Sequence, residues 1–374
     1  MRILYFTRSD SPHDQRFLAA ISGSGYEVYA LRLEAGSQAP ITPPGVTEVE
    51  WKACQRDFRF SDLLRVLPRL KKLIKQIQPD LIHAGPIQSA AFLAAATGFK
   101  PLLSMSWGYD ILRDVERGRI WRWVTNYTLK HSDRLAVDCE TVAEKAERLG
   151  YARDRMILFP WGVDLEYFSL ESGAVAAEKW RREMGWEKHF VILGLRAWEP
   201  IYGMDVLARA FVLAAQKEPG LRLAMLGHGS QAHEIYRILT EGRVSDRVFF
   251  GGRVGYNDLP GYYCGADLYI SPSHIDGSSV SLMEALACGR PALVSDIPSN
   301  REWIKPGKTG WLFKDGNIQS LADAMLSAYH SKMRTKMQLA ARQVAINKAN
   351  WSKNFQILRK AYEVLENEYK HKKL

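Results

Sequence analysis

One stretch of the sequence, residues 271–300, combines carboxylates and small residues in an order suited to binding a phosphorylated ligand. The apolar run DLYIS predicts a strand, which is followed by Asp276 and Gly277 and then by a helix that opens at Ser278 or Ser279. A helix N-terminus offers free backbone N–H groups and partial positive charge. Because the residues here are small, a phosphate can approach those groups closely.

Glu284 lies eight residues after Asp276, inside the same predicted helix. A carboxylate at this place can accept paired hydrogen bonds from vicinal hydroxyls such as a ribose diol. The alternative is an ordinary capped helix with Glu284 exposed to solvent. The surrounding residues, MEALACG, are apolar and small, and a buried carboxylate costs free energy unless it has a partner. A phosphate site between two carboxylates is what a nucleotide-sugar needs.

The elements that position these residues form two runs in which strands and helices alternate. Strands are predicted at residues 1–7, 26–33, 81–84, 101–106, 134–138, 189–196, 221–227, 247–252, 267–273 and 290–296. Helices are predicted between them and at 317–330, with one more from about Trp351. This alternation indicates an α/β fold class of two doubly wound, Rossmann-like domains facing a cleft. Ligands bind such sheets beyond the carboxyl ends of the strands.

The composition bounds the class of protein and its partners. The 374 residues suggest two domains, and 47% hydrophobic with 25% charged residues is ordinary for a globular protein. The net charge of +10 favours phosphates, nucleic acid or a membrane surface. The four cysteines include no CxxC pair, which argues against a zinc site or a disulfide framework and indicates a reducing, cytoplasmic compartment. No apolar run is long enough for a signal peptide or a membrane span.

Nearly the whole chain resembles a GT-B glycosyltransferase of family 4, the retaining group that uses nucleotide-sugars. The family signature, E-x7-E within PS-x-x-E-G…E-A-x-A-x-G-x-P, is matched here by Pro272, Ser273, Asp276, Gly277, Glu284, Ala285, Ala287, Gly289 and Pro291. Residues 194–211 resemble the phosphate-contacting strand and helix, residues 161–168 the interdomain hinge, and residues 300–313 the segment after the signature helix.

The resemblance implies a role for each matched residue. Asp276 would contact the transferred sugar and Glu284 the ribose hydroxyls. The backbone N–H groups of Ser278, Ser279 and Val280 would hold the diphosphate. Arg196 would bind phosphate oxygens and offset the charge of the leaving group, which makes Asp276 and Arg196 the candidate catalytic residues.

Two positions depart from the family pattern, and a third, Arg196, has an alternative role. The first carboxylate is Asp rather than Glu, and Tyr202 stands where the family usually has a Lys. Tyr202 either donates a hydrogen bond to phosphate or covers the helix, and Arg253 is a candidate for the second cation. The alternative for Arg196 is an ion pair with Glu199.

The first domain matches the family less closely. The segment SDSPHDQR replaces a Gly-Gly turn, so His13 is a candidate cleft residue, while Asp14 is a candidate helix cap. Trp107 replaces the usual His of a His-Gly-x-Asp segment and could stack on a sugar or an acceptor. Asp110, in the same segment, either binds hydroxyls or caps the following helix. We interpret His83, at a strand end, as a core histidine.

The implied function is retaining transfer of a sugar from a UDP- or GDP-linked donor to a saccharide or lipid-linked acceptor in the cell envelope. The leaving phosphate oxygen can take the acceptor's proton, so neither a protein base, a metal nor a further cofactor is expected. The predicted domains are residues 1–168 for the acceptor, 169–350 for the donor, and a helix at 351–374 that packs back on the first domain. A non-catalytic nucleotide-sugar-binding paralogue and a sugar-nucleotide 2-epimerase are the alternatives.

Two basic segments have no part in this chemistry. Residues 51–75 hold eight cations against two aspartates, interleaved with leucines: Lys52, Arg56, Arg59, Arg65, Arg69, Lys71, Lys72 and Lys75. Residues 113–123 hold four arginines beside Ile120, Trp121 and Trp123. Basic amphipathic segments with aromatic residues are typical of a surface that contacts anionic lipid. The alternative is the solvated cationic face of core-packing helices. Nucleic acid is not an expected partner, since no recognised binding module appears.

Overall fold

The computed structural model describes residues 1–34, 41–51 and 58–370, and it divides into two compact units. Unit 1 comprises Met1–Phe159 together with Phe355–Leu374, and unit 2 comprises Pro160–Asn354. The boundary predicted from the sequence, after residue 168, lies slightly further along the chain. Of the four cysteines, Cys54 lies outside the described residues and the other three are free.

The described residues of unit 1 form a seven-stranded parallel sheet of order β3-β2-β1-β4-β5-β6-β7. The strands are β1 (Arg2–Thr7), β2 (Glu27–Arg32), β3 (Val46–Glu48), β4 (Leu81–Ala84), β5 (Leu102–Met105), β6 (Arg134–Val137) and β7 (Met156–Leu158). The helices are α1 (Pro12–Gly23), α2 (Leu63–Ile77), α3 (Ala90–Thr97), α4 (Tyr109–Leu112), α5 (Arg119–His131) and α6 (Glu140–Arg148). The central strands are buried on both faces, which explains their continuous apolar runs.

Unit 2 is a six-stranded parallel sheet of order β10-β9-β8-β11-β12-β13. The strands are β8 (Phe190–Leu195), β9 (Leu221–Leu226), β10 (Val248–Gly252), β11 (Leu268–Ser271), β12 (Ala292–Ser295) and β13 (Gly310–Phe313). The helices are α7 (Leu170–Glu183), α8 (Met204–Lys217), α9 (Ala232–Glu241), α10 (Leu259–Gly265), α11 (Val280–Ala287), α12 (Pro298–Trp303), α13 (Ile318–His330) and α14 (Arg334–Lys348). Its core packs α8 and α13 residues such as Phe211 and Met325 against Ile192 and Met225 of the sheet.

The two sheets have the same topology. In each of them, the strand order reverses beside the first strand of the unit. The reversal falls between β1 and β4 in unit 1 and between β8 and β11 in unit 2. Open α/β sheets bind ligands at this switch point, beyond the carboxyl ends of the strands. The predicted fold class, two doubly wound α/β domains, is confirmed.

The last helix, α15 (Trp351–Lys370), joins the core of unit 1. Its buried face consists of Phe355, Leu358, Ala361, Tyr362 and Leu365, at the spacing that the sequence showed. The Tyr362 hydroxyl lies 2.7 Å from Nδ1 of His83, which is fully buried on β4. The helix therefore completes unit 1 although unit 2 separates it in sequence from the rest of that unit.

No helix among the described residues is both long enough and apolar enough to span a bilayer.

Candidate active site

Arg196 and Asp276 meet at the switch point of unit 2. Arg196 directly follows β8, and Asp276 lies in the loop between β11 and α11. Nη2 of Arg196 lies 2.7 Å from Oδ2 of Asp276, and its Nη1 donates to Oγ of Ser279 at 2.9 Å. The structure thus brings together three residues that the sequence analysis selected separately.

The ring of Tyr202 forms one side of this cluster. The Arg196 guanidinium carbon lies 4.3 Å from the centroid of the Tyr202 ring, a cation–π contact. The interpretation of Tyr202 as a mere cover for the helix misses this contact. The alternative pairing of Arg196 with Glu199 is wrong, because the Glu199 carboxylate accepts from the backbone N–H of Ser230 at 2.8 Å and from its hydroxyl.

A close approach of two backbones fixes the Tyr202 turn against the signature loop. Gly203 has φ +60°, and a Cβ atom there would lie 2.4 Å from the carbonyl oxygen of Pro272. The N–H of His274 donates to the carbonyl of Ile201 at 3.0 Å. Glycine at 203 is required both for the left-handed conformation and for this approach.

The N-terminus of α11 is lined by small buried residues. Gly277, Ser278 and Ser279 are buried, and the helix begins at Val280. The Ser279 hydroxyl contacts Arg196 and Ser281 and does not cap a backbone N–H of the helix. The N–H groups of the first turn therefore keep the donor capacity that a phosphate would use.

Glu284 lies inside α11 and is only 6% exposed, which rules out the solvent-exposed alternative. Its Oε2 accepts a hydrogen bond of 2.7 Å from the hydroxyl of the buried Tyr263. This bond orients the Glu284 carboxylate within the helix. Tyr263 is a positioning residue that the sequence did not single out.

Burial raises the pKa of the Asp276 carboxyl above its ordinary value, although Arg196 and the Gly277 N–H favour its charged form. Burial, the largest single influence, lowers the pKa of Arg196, but the combined attraction of Asp276 and the neighbouring tyrosines exceeds it, so the pKa of Arg196 is raised overall. The arginine is therefore a permanent cation at the switch point. Asp276 depends on that cation for its charge.

Arg253 stays apart from this cluster. It is exposed after β10, which is separated from β8 by β9. Within the described structure it forms no ion pair with Asp276, and its role as the second cation stays a prediction.

The candidates of unit 1 lie at the carboxyl ends of β1 and β5. The ring of His13 meets that of Trp107 edge-on at 6.5 Å. Asp110 is fully buried, and its carboxylate accepts from the hydroxyl of Ser106 at 2.6 Å and the N–H of Ile87 at 3.0 Å. Asp110 therefore fixes the loop before α4 rather than offering oxygens to a ligand.

Asp14 and His83 are both buried in unit 1 rather than placed on its surface. Ser11, not Asp14, caps α1, and the Asp14 carboxylate accepts from the hydroxyl of Tyr5 at 2.8 Å. Burial raises the pKa of Asp14 to about 6. Burial lowers the pKa of His83 to about 3, so its ring is neutral, as expected of a core histidine.

Two cavities at the same edge of unit 1 involve residues that the sequence analysis missed. Their volumes are about 310 and 300 Å³, and both are lined by Arg8, Glu34, Pro86 and Tyr109. Trp107 lines the first cavity. Each shared residue follows the carboxyl end of β1, β2, β4 or β5. Its place after a strand was the signal that could have identified it from the sequence.

No cluster of three or more His, Cys, Asp and Glu side chains suited to a metal ion occurs among residues 1–34, 41–51 and 58–370.

Two family models match this chain and together cover most of it. Residues 2–139 match "Glycosyl transferase 4-like" and residues 176–344 match "Glycosyl transferases group 1". The fold, the switch-point cluster and these matches define the class: the chain belongs to the GT-B glycosyltransferases of the family 4-like group.

Individual relatives agree with this class. The chain is 27% identical over 223 residues to the D-inositol 3-phosphate glycosyltransferase of Thermomonospora curvata, covering 56% of this chain and 52% of that protein. It is 25% identical over 200 residues to the GDP-mannose-dependent alpha-(1-6)-phosphatidylinositol monomannoside mannosyltransferase of Mycolicibacterium smegmatis, covering 51% and 52%. These matches thus span about half the length of each curated relative.

The fold of the whole chain is similar to a solved structure. Anabaena HepE in complex with UDP-glucose superposes with a TM-score of 0.80 at 18% identity, covering 97% of this chain and 100% of that one. A likeness at this level of identity supports the GT-B fold.

Proposed function

We propose that this protein transfers a sugar from a UDP- or GDP-linked donor to a saccharide or lipid-linked acceptor, with retention of the anomeric configuration. The observation that supports the proposal is the cluster of Arg196, Asp276 and Ser279 at the start of α11. It places a permanent cation beside uncapped helix N–H groups, which is an arrangement for stabilising a diphosphate leaving group.

In this reaction the bond from the anomeric carbon to the diphosphate breaks, and the acceptor oxygen forms a new bond on the same face. Arg196 and the N–H groups of Ser278, Ser279 and Val280 stabilise the charge on the departing diphosphate. Asp276 contacts the sugar and Glu284 the ribose. The acceptor proton passes to the leaving phosphate oxygen, so the reaction uses neither a protein base nor a metal ion, and positioning with electrostatics supplies the catalysis.

The names of relatives support the donor class. One curated relative is described as GDP-mannose-dependent, and the similar Anabaena structure holds UDP-glucose. Both curated relatives have names that contain inositol bearing a phosphate group, so a polar, phosphorylated acceptor is within the range of the group.

The test begins with a panel of UDP- and GDP-linked sugars, monitoring slow hydrolysis to free nucleotide with and without EDTA. We expect one donor to be hydrolysed, with no effect of EDTA, and Arg196→Gln to lower the rate by about 100-fold or more. Proton NMR of the sugar released or transferred then reports its anomeric configuration. Donor binding without turnover would identify a non-catalytic paralogue, and formation of an epimer of the donor would identify an epimerase.

We also propose that unit 1 contacts an anionic membrane surface through α2 and α5. Leu64, Ile120 and Trp123 are exposed by 89%, 63% and 58%, which is unusual for large apolar side chains. Phe60, one turn before α2, packs edge-on against Trp121 of α5 at 5.8 Å, so the two helix starts lie side by side. Arg65 and Arg69 of α2 and Arg119 and Arg122 of α5 are exposed on the same two helices.

The buried apolar residues of α2 do not belong to this surface. Val66, Leu70, Ile74 and Ile77 form the buried face of the helix and pack in the core. The amphipathic pattern is therefore that of a core-packing helix, with Leu64 as the exposed exception. Lys52 and Arg56, which the sequence analysis included in the basic segment, lie outside the described residues.

Sedimentation with liposomes tests the membrane proposal. We expect binding to vesicles of anionic phosphatidylglycerol at low salt, loss of binding in neutral phosphatidylcholine vesicles, and weakening by the double variant Leu64→Ser with Trp123→Ser. Val175→Ser is the matched control, because Val175 is 81% exposed on unit 2. Equal sedimentation with anionic and neutral vesicles, or no effect of the double variant, would contradict the proposal.

A further inference from the structure

The second cavity of unit 1 lies at the switch point of its sheet, and no residue of unit 2 lines it. Its volume is about 300 Å³, enough for a sugar ring with a substituent. In addition to the residues shared with the first cavity, it is lined by Phe58, Arg59, Phe60, Gln88, Ser89, Asp110, Asp114, Arg117 and Trp121. All of its described lining residues belong to unit 1.

The formal charges of the lining cancel, because three guanidiniums face three carboxylates. Their exposure differs, however. The side chains of Arg8 and Arg117 are 44% and 52% exposed, and Arg59 is exposed as well. The side chains of Glu34 and Asp114 are only 9% and 15% exposed, and Asp110 is fully buried.

The carboxylates are also occupied by the protein's own donors. Glu34 accepts from Nε of Arg8 at 2.9 Å and from the backbone N–H of Phe58 at 2.8 Å. Asp110 accepts from the Ser106 hydroxyl of its own loop and from the Ile87 N–H of the loop after β4. Asp114 forms an ion pair with Arg117, with 3.7 Å between Oδ1 and Nη1. The cationic charge that the cavity presents to a ligand therefore comes chiefly from Arg59, with Arg117 contributing the guanidinium N–H groups that Asp114 does not engage.

Aromatic rings complete the lining. The Arg117 guanidinium lies 4.0 Å from the centroid of the Trp121 ring, and Phe60 contacts both Trp121 and Phe58 edge-on. A flat indole can pack against the apolar face of a sugar ring, while a guanidinium stacked upon it is held ready for a carboxylate or a phosphate.

We infer that this cavity binds the acceptor through an anionic substituent on its sugar, a phosphate or a carboxylate, which Arg59 and Arg117 hold while Trp121 supports the ring. The inference rests on the proposed function, because it takes unit 1 as the acceptor domain. It adds the chemical class of the acceptor and the residues that select it over a neutral sugar.

Binding to the full-length protein, measured by saturation-transfer NMR and calorimetry, tests the inference. The probes are glucose 6-phosphate, glucuronic acid and neutral glucose. We expect one anionic probe to bind about tenfold or more tightly than glucose, and the choice between the two identifies the substituent. The double variant Arg59→Gln with Arg117→Gln should lose that preference, whereas Arg148→Gln, at an exposed position of α6 outside the cavity lining, should keep it.

Two further measurements separate this inference from the proposed function. Binding of UDP or GDP should be unchanged in the double variant, which also shows that the protein is folded. Equal binding of glucose and both anionic probes would overturn the inference. So would an anionic preference that the double variant retains and that UDP abolishes. Failure of the wild type to hydrolyse any donor would count against the proposed function alone.

Discussion

At the scale of single residues, Arg196 is held by three kinds of contact at once. An ion pair with Asp276, a hydrogen bond to Ser279 and the ring of Tyr202 fix its guanidinium in one place. A charge that is already oriented costs no reorganisation when negative charge develops nearby. Tyr202 therefore contributes by positioning the one cation of this cluster, instead of adding a second cation as a lysine would.

The role assigned to Glu284 predicts a change in nucleotide selectivity. In the proposed role, Glu284, which Tyr263 orients, accepts hydrogen bonds from a ribose diol, so the wild type should bind UDP or GDP more tightly than the 2′-deoxy analogue. Glu284→Gln should weaken nucleotide binding by about tenfold, since bonds from charged acceptors are the stronger ones. Calorimetry on both ligands checks this. If Glu284→Gln still discriminates against the deoxy analogue as the wild type does, Glu284 does not contact the ribose.

The buried Asp14 predicts a pH dependence of stability. Burial raises its pKa from 3.8 to about 6 in the folded protein, so the folded state holds the proton more tightly than the unfolded chain. This contribution to stability is complete below about pH 4 and is lost as the pH rises through 6. Asp14→Asn removes the titration and should gain about 2–3 kcal/mol relative to the wild type between pH 4 and 7.

Urea denaturation at several pH values measures this difference. The neutral His83 acts in the opposite direction, because its pKa of about 3 makes stability fall as the pH drops below its ordinary value of 6.5. Comparing Asp14→Asn directly with the wild type cancels the histidine contribution. The exposed Asp154→Asn is the control. A difference that stays constant with pH would show that Asp14 titrates normally.

At the scale of elements, the sequence predicted the strands with apolar runs, including the partly buried β10, and missed β3, β7 and β13. β1, β4 and β8 stand out as continuous apolar runs, whereas β3 and β7 are three-residue edge strands with partly exposed side chains. The missed helix α7 packs on α10 through Gly173 and Ala177, and small residues give a weak hydrophobic period.

The candidate site was predictable to a similar degree. Residues fixed by a motif, such as Asp276 and Glu284, were found because they lie close together in sequence. Tyr263 and the cavity residues Arg59 and Trp121 belong to separate elements, and only the tertiary structure brings them to their partners. Asp110 is the opposite case. The family segment selected it, but its carboxylate accepts hydrogen bonds from the protein's own donors, the Ser106 hydroxyl and the Ile87 N–H.

The turn between β8 and α8 predicts a pair of glycine variants with different outcomes. Gly203 and Gly185 have similar φ values, +60° and +64°, but a Cβ atom would clash with the Pro272 carbonyl only at 203. Gly185→Ala should cost about 1–2 kcal/mol of stability from backbone strain alone. Gly203→Ala should cost more and should also weaken UDP or GDP binding, since it displaces the loop that carries Asp276.

Thermal unfolding and calorimetry on both variants distinguish the two effects. Equal losses of stability with unchanged nucleotide binding would show that the contact at Pro272 has no bearing on the site.

At the scale of the whole molecule, α15 predicts which unit depends on the last helix. Leu358 is fully buried in unit 1, and truncating it should cost about 2–5 kcal/mol. Val364→Ala, on the same helix at 45% exposure, should change stability by about 0.5 kcal/mol or less. Hydrogen exchange followed by mass spectrometry should localise the loss caused by Leu358→Ala to unit 1. Equal loss in both units would contradict the assignment of this helix.

The position of α15 in the sequence also determines when the core of unit 1 can be completed during synthesis. Unit 1 begins first, but the face that includes His83 is not covered until Tyr362 has been made. The roughly 200 residues of unit 2 are translated in between, which takes about 10–40 seconds at ordinary rates. During that interval the second unit can fold while the first still exposes part of its core. The core of unit 1 therefore stays incomplete until α15 has been made, although most of unit 1 is translated first.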